Sequence, residues 1–175
     1  VTIVRPNNPA GTLVSKAEVV QMLQAFGGLD LVLVDESFLY FAGPDYVDLS
    51  VAGLIHEFPN LVIVTSMSKA YGVPGLRLGY AISSDRQFIA RLRADLPIWS
   101  INSLAQSFLE SMCEYSAEFV ESCAQVRQAT QALYESLRGV SILDPYPTHG
   151  NYILCRTSAD ITGTEITARL FDEFQ

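Results

Sequence analysis

Three features of this 175-residue chain point to an α/β architecture, a mostly parallel sheet flanked by helices. First, the apolar runs Leu31–Val34 and Leu61–Val64 lack the alternation of a half-exposed strand and read as parallel strands covered on both faces. Second, stretches with helical start signals separate them, so strand and helix alternate through the first half. Third, small and polar residues follow each run at once, as in Asn7-Asn8-Pro9-Ala10-Gly11, Asp35-Glu36-Ser37 and Ser66-Met67-Ser68-Lys69. In open α/β sheets ligand groups collect at such carboxyl ends.

Strands are expected near 1–5, 31–35, 61–65 and 77–82, and helices near 15–26, 48–56 and 86–96. Ser15 with Glu18 three residues on makes a capping box for the first helix, which places Lys16 in solvent at its first turn. Asp85 caps the helix that carries Phe88, Ile89 and Leu92. Pro97 interrupts. A long helix follows from Ser103 to Arg138, with Leu104, Phe108, Met112, Val126, Leu133 and Leu137 as apolar positions and Gly139 as its C-cap. The remainder, Val140 to Gln175, reads as two short strands and a helix starting near Thr164-Glu165. No internal repeat or low-complexity stretch is visible.

A formal charge of −8 argues against nucleic acid or an anionic membrane as partner, and no basic stripe accompanies the aromatic residues. No apolar run reaches the roughly 20 residues a membrane span needs. Hydrophobic content of 49% indicates a well-buried protein with surface to hide at an interface. Cys113, Cys123 and Cys155 have no metal-ligand spacing and read as buried reduced thiols of a cytoplasmic protein. His56 and His149 are far apart and offer no triad or zinc set; His56 is expected on a helix surface.

The chemistry centres on Lys69, one of only two lysines. An amine beside apolar strand ends can have its pKa lowered by desolvation and attack an aldehyde as a Schiff-base nucleophile. Ser66, Ser68 and Arg77 are the donors a phosphate monoester needs. Asp35 ends a strand where an unpaired carboxylate is costly, and a pyridinium nitrogen is a fitting partner for it. An asparagine at a strand end can donate to a phenolate oxygen on the same ring. A carbonyl-seeking lysine beside phosphate donors points to pyridoxal phosphate.

Together Asn7-Asn8-Pro9-Ala10-Gly11, Asp35-Glu36-Ser37-Phe38, Ser66-Met67-Ser68-Lys69, Pro74-Gly75-Leu76-Arg77-Leu78-Gly79-Tyr80 and Asn151-Tyr152-Ile153-Leu154-Cys155-Arg156 resemble the class I/II aminotransferases. These are fold type I pyridoxal-phosphate enzymes, and the resemblance is to the branch of histidinol-phosphate aminotransferase and threonine-phosphate decarboxylase. It implies that Lys69 forms the internal aldimine and that Asp35 pairs with the pyridine nitrogen. It implies further that Asn8 bonds the 3-oxygen of the ring, and that Ser66 and Arg77, with Ser68 as a weaker candidate, bind the phosphate. It divides the chain into the C-terminal part of a large cofactor-binding domain, 1–138, ending in a long linking helix, and the beginning of a small α+β domain, 139–175. The chain is then the central piece of a longer enzyme that works as a homodimer on an amino acid, which phosphorylation can modify, and a 2-oxo acid, with no metal.

Phe38 departs from the pattern. Most members carry a tyrosine there, whose hydroxyl also reaches the ring oxygen; its loss leaves Asn8 as the main partner and is expected to raise the pKa of the lysine linkage. Phenylalanine at this place and the run Trp99-Ser100-Ile101-Asn102 are more typical of the decarboxylase side, so decarboxylation of an amino acid stays open beside transamination. A non-catalytic, aminotransferase-like regulatory domain is the reading from another class. A dinucleotide-binding domain has little support, because no Gly-x-Gly-x-x-Gly follows the first strand. Tyr71, Trp99 and Tyr152 read as core aromatics, Arg5 equally as an ion-pair residue and a ligand contact, Arg156 as structural, and Asn102 as a substrate or cofactor contact. Glu36 points to the face opposite Asp35.

Overall fold

A computed structural model describes residues 1–174. Four strands form one sheet: β1 (Thr2–Val4), β2 (Val32–Asp35), β3 (Leu61–Ser66) and β4 (Gly79–Ile82), in that spatial order. The first three are parallel and β4 is antiparallel to β3. The sheet is mostly parallel, as expected, with one reversed edge. Strand β4 begins two residues late because Arg77 is left-handed (φ 56°, ψ 41°), a conformation no strand accommodates.

Helix α1 (Lys16–Ala25) covers the sheet, and its buried Val19 and Leu23 pack on Val32, Val34, Leu61 and Ile63. Its capping box is present in full: Glu18 N–H donates to Ser15 Oγ, and Ser15 N–H donates to Glu18 Oε2. This holds the Glu18 carboxyl below its usual range, through bonds to the Ser15 side chain and backbone. Asp85 caps α4 (Arg86–Asp95) through the N–H groups of Gln87 and Phe88.

The helix expected over 48–56 is absent. In its place are a four-residue turn of helix, α2 (Tyr46–Leu49), and a 3-10 turn over Ala52–Leu54. The reason is Glu36, whose carboxylate accepts from Ser50 Oγ (2.6 Å) and from Val51 N–H (3.0 Å) and pulls the joint between them inward. His56 therefore lies exposed on a turn, not on a helix.

The single helix expected over 103–138 is also divided. After a short helix at the end of β3, α3 (Met67–Ala70), the chain forms α5 (Ser103–Ser111), a 3-10 turn at Met112–Tyr115, and α6 (Ser116–Arg138). The two segments serve different cores. Phe108, Leu109 and Met112 pack with Met67 and Leu78, whereas Phe119, Cys123 and Val126 pack with Phe38 and Phe41. One straight axis does not reach both. Gly139 ends α6 with ordinary helical angles (φ −81°, ψ −7°), not as a left-handed cap.

A separate antiparallel pair, β5 (Leu143–Pro145) and β6 (Cys155–Thr157), follows. Only the end of the Asn151–Arg156 run is strand, since its first residues turn toward the Asn7 loop. The last helix, α7 (Gly163–Phe174), starts slightly earlier than expected because Thr162, not Thr164, forms the reciprocal cap with Glu165. Among the described residues no helix is long and apolar enough to cross a membrane.

Candidate active site

Parallel pairing fixes the geometry of the site. Val4 lies beside Asp35, and Asp35 beside Val64, so β1 and β2 end level and β3 runs two residues further, to Ser66. The ladder continues one residue further through Arg5 N–H to the Asp35 carbonyl (2.9 Å) and Glu36 N–H to the Val64 carbonyl (3.0 Å). Adjacent strands are about 4.8 Å apart. Asp35 and the segments that carry Asn8 and Lys69, distant in sequence, therefore belong to the carboxyl ends of three adjacent strands.

Each is held differently. Asn8 is exposed in a turn closed by Asn7 N–H to the Thr12 carbonyl (2.8 Å) and Gly11 N–H to the Asn7 carbonyl (2.6 Å). Asp35 is half-buried; one carboxylate oxygen accepts from Ser37 N–H (2.9 Å), and it forms no ion pair among the described residues. Lys69 lies on α3 directly after β3, exposed, its side chain without a hydrogen bond or ion pair among the described residues. The burial on which the desolvation argument rested is thus not provided by these residues.

Ser66 is the N-cap of α3, its hydroxyl accepting from Ser68 N–H, and its own O–H remains free to donate. Ser68 is half-buried on the same turn. Arg77 follows a 3-10 turn, exposed, with one donor on the Pro74 carbonyl (3.2 Å) and the rest of its fork uncommitted among the described residues. A left-handed arginine is strained, and such strain collects at functional positions. The chemistry of this donor set fits pyridoxal phosphate: an amine, a carboxylate without a counter-ion among the described residues, a guanidinium and two hydroxyls. Among the described residues no cluster of His, Cys, Asp or Glu is placed to hold a metal ion.

Two residues escaped sequence reasoning. Ser37 is buried and its hydroxyl accepts from Ser66 N–H (2.9 Å), locking the end of β3 to the turn after Asp35. Tyr152, read as a packing residue, is half-buried, lies edge-on to Phe38 (centroids 4.9 Å apart) and donates its hydroxyl to the Asn7 carbonyl (2.7 Å). Neither carries a local signal.

Some of the other expectations hold and some are revised. Asn102 is the N-cap of α5, its Oδ1 accepting from Ala105 N–H (2.9 Å), while its Nδ2 makes no hydrogen bond among the described residues. Trp99 is 92% exposed and left-handed, not core. Tyr71 does pack, stacked on Phe119 with ring centroids 4.1 Å apart. Arg5 resolves as an ion-pair residue with Glu36. Lys16 is exposed at its helix start, as expected, and Arg156 pairs with Asp144 on the β5–β6 surface. All three cysteines are free, but Cys113 is exposed and only Cys123 is fully buried.

Comparison with known proteins agrees with this fold. The profile of "Aminotransferase class I and II" matches residues 1–175. A CMP-5'-(3-aminopropyl)phosphonate synthase of Streptomyces rubellomurinus is 35% identical over 173 residues, covering 99% of this chain and 27% of that protein. An L-serine phosphate decarboxylase of Campylobacter jejuni is 29% identical over 180 residues, covering 99% of this chain and 45% of that protein. The crystal structure of histidinol-phosphate aminotransferase from Clostridium acetobutylicum superposes with a TM-score of 0.86 at 26% identity, over 98% of this chain and 51% of that one. The chain spans about half or less of the length of these relatives.

Proposed function

We propose, on the premise that the chain belongs to the aminotransferase class I and II family, that it is the central part of a pyridoxal-phosphate-dependent aminotransferase. The observation that supports this reading is that β1, β2 and β3 are adjacent and parallel, with Asp35 at the carboxyl end of β2 and the segments of Asn8 and Lys69 following β1 and β3. The substrates are an amino acid, of a class that includes phosphorylated ones, and a 2-oxo acid. Relatives whose names carry a phosphate or phosphonate group support that class.

Lys69 would hold the cofactor covalently through its aldehyde. Asp35 would keep a proton on the ring nitrogen, and Asn8 would donate to the ring oxygen. Arg77 and Ser66, with Ser68, would bind the phosphate. Bound pyridoxal phosphate supplies an electron sink that makes a bond at the substrate α-carbon labile. Lys69, its amine freed when the substrate amine takes its place on the cofactor, would be the base that moves the α-proton. Residues 1–138 would form the end of the large domain and 139–175 the start of the small one. The whole protein would be a cytoplasmic homodimer; three free thiols and an apolar surface that includes Ile98, Trp99 and Leu104 support this.

Decarboxylation of a phosphorylated amino acid is the second reading. Phe38, in the place of the usual tyrosine, and the similarity to an L-serine phosphate decarboxylase favour it. The test is to offer the full-length protein amino acids and their O-phosphates with 2-oxoglutarate and measure both products. Glutamate formation carries the first reading. Carbon dioxide release without glutamate replaces it with the second, and neither product, from protein that retains the cofactor, removes both.

A further inference from the structure

We infer that Tyr152 is a positioning residue for Asn8: its hydroxyl holds the Asn7 carbonyl, and with it the peptide plane on which Asn8 is hung. The inference rests on the reading that Asn8 holds the cofactor ring. The Asn7 carbonyl receives two donors from different directions, Gly11 N–H within its own turn (2.6 Å) and Tyr152 Oη from 145 residues away (2.7 Å). A carbonyl fixed by two donors fixes the peptide that joins it to Asn8. An exposed asparagine in a turn otherwise has little to orient it.

The contact is one of three stitches between the segments around 148–152 and 7–12. His149 N–H donates to the Gly11 carbonyl (2.8 Å). Gly11 is left-handed (φ 72°), and any side chain on it would overlap Thr148. Gly150 has the same role for Tyr152: a Cβ there would stand 2.6 Å from the ring, so only glycine lets the phenol fold back over its own backbone. Phe38, three residues after Asp35, closes the other side, edge-on to the phenol at 82°. Tyr152 thus touches the elements that follow both β1 and β2.

Burial and the nearby Asp35 carboxylate both push the phenol above its ordinary range. It stays protonated and remains a donor through the working pH range. The position usually occupied by a tyrosine carries Phe38, which has no hydroxyl to offer the ring. Asn8 then bears that contact alone, and the cost of misplacing it rises.

The experiment compares Tyr152→Phe, Asn8→Ala and the double variant in the full-length holoenzyme. The readouts are the cofactor dissociation constant, the pH midpoint of the cofactor's visible absorbance, and the thermal midpoint. Tyr146→Phe, an exposed tyrosine of the same segment, is the control. Tyr152→Phe keeps the ring and should weaken cofactor binding about five- to tenfold, the worth of one hydrogen bond. It should move the absorbance midpoint in the same direction as Asn8→Ala, and the double variant should bind no more weakly than Asn8→Ala alone. The control should change nothing. If Asn8→Ala leaves binding and absorbance intact, the reading of Asn8 fails and takes this inference with it. If Asn8→Ala acts but Tyr152→Phe is silent, additive, or lowers only the thermal midpoint, the inference alone is overturned.

Discussion

Arg5 and Glu36 form an ion pair sealed beneath the ends of β1 and β2, Nη1 to Oε1 at 2.6 Å with side chains 0% and 5% exposed. Arg5 also donates from Nε to the Val14 carbonyl and from Nη1 to the Leu49 carbonyl, both at 3.0 Å. The pair is adjacent to the site on both strands: Asp35 precedes Glu36, and Asn8 is three residues beyond Arg5.

Glu36→Gln keeps the shape and removes the charge, which leaves a buried guanidinium uncompensated. Breaking a buried pair from one side costs about 3–5 kcal/mol. Urea unfolding of the full-length protein should show a loss of that order. A change under about 1 kcal/mol would mean that the surrounding carbonyls alone satisfy Arg5.

Lys69→Ala should abolish the covalent cofactor link, and Lys16→Ala should leave it intact. The motive is position: Lys69 follows β3 at the shared strand ends, whereas Lys16 opens α1. Borohydride reduction of the full-length holoenzyme followed by peptide mapping measures this. A reduced adduct on Lys16 would reverse the assignment.

Much of this site is legible in sequence because its residues are polar exceptions directly after apolar runs. Asp35 and Ser66 end strands whose length is readable, and Asn8 and Lys69 come a few residues after theirs. Ser37 and Tyr152 are not legible in the same way, since their partners lie 29 and 145 residues away. The break of the expected 48–56 helix is equally non-local: it depends on Glu36, which nothing near Ser50 announces. The division of the long helix follows from two apolar clusters that only the assembled sheet brings into place. Local pattern reads strands and caps; it does not read which polar group another element has captured.

Asp35→Asn retains size and removes the charge from a half-buried carboxylate that has no ion-pair partner among the described residues. If Asp35 keeps the ring nitrogen protonated, turnover should fall by several orders of magnitude while the cofactor remains largely bound. Steady-state rates and a cofactor titration on the full-length protein separate the two. Near-normal turnover rejects the role.

Arg77 sets stability against function. At φ 56° a non-glycine residue is strained by roughly 1–2 kcal/mol, and glycine removes that strain at an entropic cost of about 0.5–1 kcal/mol. Arg77→Gly should therefore leave the unfolding free energy unchanged or raise it by up to about 1.5 kcal/mol. The same variant loses the guanidinium fork, so cofactor should leave on dialysis far faster than from wild type. Arg77→Lys separates charge from geometry. It keeps the strain and the positive charge but not the bidentate contact, and should fall between the two in cofactor retention. Activity of both variants should recover in excess cofactor. Wild-type retention in Arg77→Gly, or a stability loss in it larger than about 1 kcal/mol, would make Arg77 a residue of the turn and not of the phosphate site.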